Sequence, residues 1–149
     1  MELIKQLEQT RDHTLSFYSL DVDALSRTYA PGKWSVRFLL HHLADAETIL
    51  FDRIRRIISE PRQVLWAFDP DAFAAGLDYD TLPLELSRDI YQSVRAGMVH
   101  YAHRYYVRDG DREFVHSETG VRTLKDEFDK VASHNAHHLA QIRAALAGR

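Results

Sequence analysis

Apolar residues recur at helical spacing in four long stretches of this chain. The first carries Leu3, Leu7, Thr14 and Phe17, and the second Val36, Leu39, Leu40, Leu43, Leu50, Ile54 and Ile57. The third carries Ile90, Val94, Met98, Tyr101 and Tyr105, and the fourth Leu124, Phe128, Val131, Leu139, Ile142 and Leu146. Alternating steps of three and four put each set on one side of a helix, so the pattern predicts four amphipathic helices. Turn formers separate them: Ala30-Pro31-Gly32, Pro61, Asp69-Pro70-Asp71, Pro83 and Asp109-Gly110-Asp111. Ser35 is placed to cap the second helix, and Thr123 with Asp126 or Glu127 to start the fourth. The segment from Arg112 to Val121 holds Phe114-Val115-His116 and Gly120 and has room for a short hairpin. The economical architecture is an all-α four-helix bundle, one domain over residues 1–149, with a long connection between the second and third helices.

Composition narrows the chemistry. A chain of 149 residues that is 45% hydrophobic and 28% charged can bury one core and is too apolar to be disordered. The formal charge of -3 leaves no basic footprint, so no nucleic-acid partner is expected. There is no cysteine, which excludes disulfides, a thiol nucleophile and thiolate ligands; any metal has to be held by nitrogen and oxygen. The N-terminus reads as a polar helix start rather than a secretory signal, and no apolar run approaches the roughly 18 residues of a membrane span. A cytoplasmic location with no membrane partner is the expectation.

Five of the nine histidines fall in two short runs, His41 and His42, then His134, His137 and His138. Neutral imidazole is the commonest metal ligand, and two histidines four apart on a helix can grip one ion. At about 100° per residue from Leu124, His138 lies at about -40° inside the apolar stripe, His134 at its edge and His137 near -140°, facing away. The same projection from Val36 puts His41 near 140°, in a solvated sector with Asp45 and Asp52, and His42 near -120° in a second apolar sector beside Phe38, Ala46 and Ile49. His42, His134 and His138 therefore converge as a candidate three-nitrogen site with coordination positions left open, the arrangement of a catalytic ion. The same positions also suit hydrogen-bonded core histidines.

Other groups are placed less sharply. Glu47 falls in the middle of the apolar stripe of its helix, where a carboxylate needs a basic partner or a role at the site as proton acceptor. His116 precedes the fourth helix and could reach the mouth of the site or stabilise a turn. Glu47 and His116 are thus the candidate catalytic residues. His13, His100 and His103 read as surface or packing residues. Aromatic walls for a substrate are expected from Trp34, Tyr101, Tyr105, Trp66, Phe68 and Phe73, each of which can equally serve the core.

These positions carry a resemblance. Trp34-Ser35-Val36, His41-His42-Leu43-Ala44-Asp45-Ala46-Glu47, His116-Ser117-Glu118-Thr119-Gly120 and His134-Asn135-Ala136-His137-His138-Leu139-Ala140-Gln141-Ile142, in that order, resemble the DinB / YfiT-like superfamily of metal-binding four-helix bundles over nearly the whole chain. The resemblance implies an up-down-down-up bundle, often a homodimer, with a divalent ion, zinc or nickel, on three histidines. Its ligand pattern falls on His42, His134 and His138, the three selected by projection.

Members with known activity are thiol S-transferases and isomerases that use bacillithiol, mycothiol or glutathione, while others bear only the provisional label of metal-dependent hydrolase. Transfer of a small-molecule thiol to an electrophile is therefore the leading expectation, hydrolysis by activated water the alternative, and a metal-stabilised, stress-related binding protein without turnover the third. Asn135 follows His134 where the His-Glu-x-x-His metalloproteases have glutamate, so proteolysis of that type is not expected.

Overall fold

In chain order the elements are α1 (Glu2–Phe17), α2 (Val22–Ser26), α3 (Val36–Ser59), β1 (Val64–Leu65), α4 (Pro70–Gly76), α5 (Leu84–Tyr105), β2 (Glu113–His116), β3 (Gly120–Thr123) and α6 (Leu124–Ala147). The computed structural model describes residues 1–60 and 62–148, so the turn read at Pro61 lies outside the described residues. The four predicted helices are α1, α3, α5 and α6. Thr10 of α1 and Tyr18 just after it meet Arg95 and Tyr91 of α5, which makes α1 and α5 antiparallel. His41 and Glu47 of α3 meet Ser87 and Arg95, so α3 and α5 run parallel. His42 and Arg53 of α3 meet His138 and Glu127, so α6 runs against α3. The bundle is up-down-down-up, as the resemblance implied.

The core has two apolar clusters with a polar layer between them. One cluster gathers Leu7, Ile54, Met98, Phe128 and their neighbours; the other gathers Val36, Leu40, Leu43, Leu84 and Ile142. Between them lies Arg95, fully buried, with Glu47. The five guanidinium N–H groups reach both Glu47 carboxylate oxygens, the Leu7 carbonyl, the Thr10 hydroxyl and Asn135 Oδ1. A buried charge is tolerated when it is paired and every donor is used, and both conditions hold here.

That layer explains where the α5 pattern misleads. The buried seam of α5 is Leu84, Ser87, Tyr91, Arg95, Met98 and Ala102. Of the predicted stripe only Met98 is fully buried, whereas Ile90, Val94, Tyr101 and Tyr105 are half-buried. Tyr91 and Arg95 look polar in sequence but are satisfied inside, Tyr91 by donating its hydroxyl to Asn135 Oδ1 at 2.6 Å.

The hairpin at 112–121 is present as β2 and β3, paired antiparallel with Val115 opposite Val121. It gains a third strand, since β1 pairs in parallel with β2, Val64 beside Val115. Arg53 holds β1 to the bundle by donating from Nη2 to the Trp66 carbonyl at 2.6 Å. Two short helices go beyond the predicted set. Asp21 caps α2, and Asp69 caps α4, whose first residue is Pro70, so the predicted turn at Asp69-Pro70-Asp71 is a helix start. Among the described residues no helix is long and apolar enough to cross a membrane.

Candidate metal centre

Ser35 fixes the start of α3 by accepting from the Phe38 N–H, which sets Val36, Leu39, Leu40 and Leu43 into the core and His42 against α6. On α6 a capping box at Thr123 and Asp126 fixes the helix start, and His134 and His138 then stand one turn apart on the side facing α3. The Nε2 atoms of the three imidazoles converge: His42 to His134 is 3.0 Å, His42 to His138 3.1 Å and His134 to His138 3.1 Å. The rings stand edge to face, at 61°, 82° and 76° to one another. His42 is buried and the α6 pair half-buried.

The charge states suit a cation. Burial, helped by the neighbouring His138, pushes His42 down to about 3, and burial with the adjacent histidine rings pushes His134 down to about 3. Burial also lowers His138 from its ordinary value. All three rings are therefore neutral near pH 7, each with one nitrogen lone pair to give. For His138 the tautomer is set: Nδ1 donates to Gln141 Oε1 at 2.7 Å, which leaves the Nε2 lone pair pointing at the other two rings. Gln141 in turn donates from Nε2 to His137 Nε2 at 3.3 Å. Nitrogens bound about 2.0–2.1 Å from one ion stand about 3 Å apart when adjacent in its coordination sphere, so spacing and donor type both fit a divalent metal. Nδ1 of His42 is buried with no hydrogen-bond partner.

Aromatic rings flank the group. Trp34 lies 5.2 Å from the His42 ring centre and Phe68 stacks on it at 6.2 Å, with Phe73 edge-on to Phe68 at 5.0 Å. The other expected wall residues are elsewhere. Tyr101 packs against both Phe51 and Tyr105 at the α3–α5 face, and Trp66 is 77% exposed beside the small sheet. A cleft of about 470 Å³ between α1 and α6, lined by Gln6, Thr10, His13, Ser133 and Arg143, contains none of the three histidines.

The remaining sequence candidates separate cleanly. His41 is a correction: it is fully buried, not solvated, with Nδ1 2.6 Å from Ser87 Oγ and its ring 5.1 Å from that of Tyr79. The single-helix projection missed this because α5 and the segment after α4 cover that side of α3. Burial and the Arg37 charge push His41 down to about 4. His137 is exposed, as projected, and so are His13, His100 and His103. Glu47 has its basic partner in Arg95. His116 is buried on β2, where Nδ1 accepts from the N–H groups of Glu118 and Thr119, so the ring holds the turn of the hairpin. Neither Glu47 nor His116 joins the three converging nitrogens. Gln141 escaped the sequence reading, although a polar amide three residues after His138 was the signal that could have found it.

The chain and its fold are similar to those of known proteins. A family model described as the DinB superfamily matches residues 6–142. A protein of Oceanobacillus iheyensis that bears the provisional name of metal-dependent hydrolase is 32% identical over 146 residues, covering 97% of this chain and 84% of the relative. A similarly named protein of Halalkalibacterium halodurans is 26% identical over 137 residues, covering 92% and 79%. In structure, the chain is similar to YfiT from Bacillus subtilis, described as a probable metal-dependent hydrolase with an unusual four-helix bundle topology. The TM-score is 0.86 at 23% identity, covering 95% of this chain and 82% of YfiT, a likeness of fold.

Proposed function

The chain belongs to the DinB superfamily, and from that premise we propose that it is a metal-dependent hydrolase whose ion is held by His42, His134 and His138. The observation that carries the reading is the meeting of three neutral imidazoles at 3.0–3.1 Å with the His138 lone pair aimed inward by Gln141. A divalent ion in such a set supplies Lewis acidity and a water acidic enough to serve as nucleophile near neutral pH. The names of the relatives from Oceanobacillus iheyensis and Halalkalibacterium halodurans support the same class of reaction.

The protein's own part is positional. Two helices fix three nitrogens, so the site depends on the antiparallel packing of α3 on α6. Gln141 holds the His138 tautomer and ring angle, and loss of such an outer partner weakens metal sites. Trp34 and Phe68 shield the His42 ring and exclude water from its flank. The absence of any protein carboxylate or thiolate among the three donors leaves a bound dication unneutralised, which strengthens its pull on an electron-rich substrate oxygen.

Thiol S-transfer would use the same three ligands and differs in needing a thiol from solution, since the chain has no cysteine. Zinc- and nickel-loaded protein, assayed on a panel of esters and amides with and without low-molecular-weight thiols, tests the reading. Metal-dependent turnover without thiol is expected. Turnover of electrophiles only when thiol is added would replace hydrolysis by transfer.

A further inference from the structure

The side of α6 that carries the histidines continues into a charged group with no part in holding the ion. Lys130 is one turn before His134, about 6 Å along the helix axis, and on the same face. Its ammonium donates to Glu127 Oε1 at 3.2 Å, while the other oxygen of that fully buried carboxylate faces Arg53 Nη1 across 3.7 Å. Two cations therefore share one carboxylate, and one positive charge is left unmatched. Lys130 is the member that can offer it. Its side chain is 32% exposed, against 7% for Arg53, and Glu127 takes one of the three N–H donors of the ammonium.

The hairpin brings a further donor to the same place. His116 accepts at Nδ1 from the N–H groups of Glu118 and Thr119, so the proton of the neutral ring is on Nε2, where it meets no acceptor among the described residues. His116 pairs with Leu65 of β1, and Ser117 Oγ, next in the chain, accepts from the Ala67 N–H at 2.8 Å. These contacts tie the ring to the segment whose Phe68 stacks on His42. Lys130 lies within electrostatic reach of both imidazoles: after burial its charge is the main cause that lowers His116, and it adds to burial and the neighbouring rings in lowering His134. An ammonium with two free donors and an imidazole N–H thus gather at one end of the site, under one unmatched positive charge. That set matches the two oxygens and single charge of a carboxylate, whereas a phosphate monoester would bring more charge than the group balances. We propose that Lys130, with the His116 N–H, is an anion subsite of the metal centre that takes a carboxylate of the substrate one helical turn from His134. The inference rests on the metal-dependent reading and names a substrate class for it, a small ester or amide that bears a carboxylate near the bond to be cleaved.

Calorimetric titration of the zinc-loaded, tag-free protein with a pair of hydroxamates tests the proposal. Succinic acid monohydroxamate carries a carboxylate on a short chain from its metal-binding head, and butyrohydroxamic acid has a methyl group in its place. The acid should bind at least about tenfold more tightly, the gain expected of one charge-assisted hydrogen bond. Lys130→Gln should abolish that preference while binding the neutral compound as the wild type does, and Lys130→Arg should keep most of it. Unchanged zinc content and helical circular dichroism in Lys130→Gln separate loss of the subsite from misfolding. Lys125→Gln, at an exposed position near the start of α6, removes the same charge elsewhere and should keep the preference. Equal affinities of the wild type for the two compounds, a preference that survives Lys130→Gln, or one lost equally in Lys125→Gln would each overturn the subsite. Binding of neither hydroxamate would instead overturn the metal-dependent reading and the subsite with it, so the two failures are told apart.

Discussion

Arg95 clasps Glu47 through two nitrogens in a layer closed off by apolar clusters on both sides. Removing one partner of a buried pair strands the other charge, which costs about 3–5 kcal/mol, whereas replacing both with apolar residues is often near neutral. Arg95→Met should lower unfolding free energy by that amount in urea titrations. Arg95→Met combined with Glu47→Leu should be more stable than Arg95→Met alone. If the two losses simply add, the pair is not the unit described here.

Gln141 meets the site through His138 Nδ1 and also donates to His137. Loss of an outer partner of this kind weakens metal affinity by about 10–100-fold. Gln141→Leu should do so in competition with a chromophoric chelator, while His137→Ala, on the exposed side, should change affinity much less. The reverse ranking would remove Gln141 from the site.

His41 gives stability a pH dependence whose sign is fixed. Its folded value is lowered to about 4, against about 6.5 in an unfolded chain. Between those values the unfolded chain binds more protons, so the contribution of neutral His41 is complete above about 6.5 and is lost as pH falls toward 4. In chelator-treated protein the urea midpoint should therefore drop from pH 7 to pH 5, and by less in His41→Gln than in the wild type. Identical drops in the two proteins would exclude His41 as a contributor.

The bundle was legible because its signal is periodic: Val36 to Ile57 and Leu124 to Leu146 repeat over enough turns to fix a helix and its inner face. The three histidines were legible for the same reason, each lying on an apolar sector of a long helix. His41 was not, because projection treats a helix as having one buried side, whereas α3 is covered by α5, α6 and the Tyr79 segment together. Arg95 was passed over because its burial depends on Glu47, 48 positions away, and no local pattern reports a distant partner. The two-residue strand β1 is too short for any alternation to show, and it exists only by pairing with β2.

His42, His134 and His138 are expected to hold one divalent ion together. Equilibrium dialysis of the tag-free protein against zinc, with metal counted by mass spectrometry, should give one ion per chain, and His42→Ala, His134→Ala and His138→Ala should each lose it at the same free zinc. Full occupancy retained in any one of those three variants would mean that the replaced histidine is not a ligand.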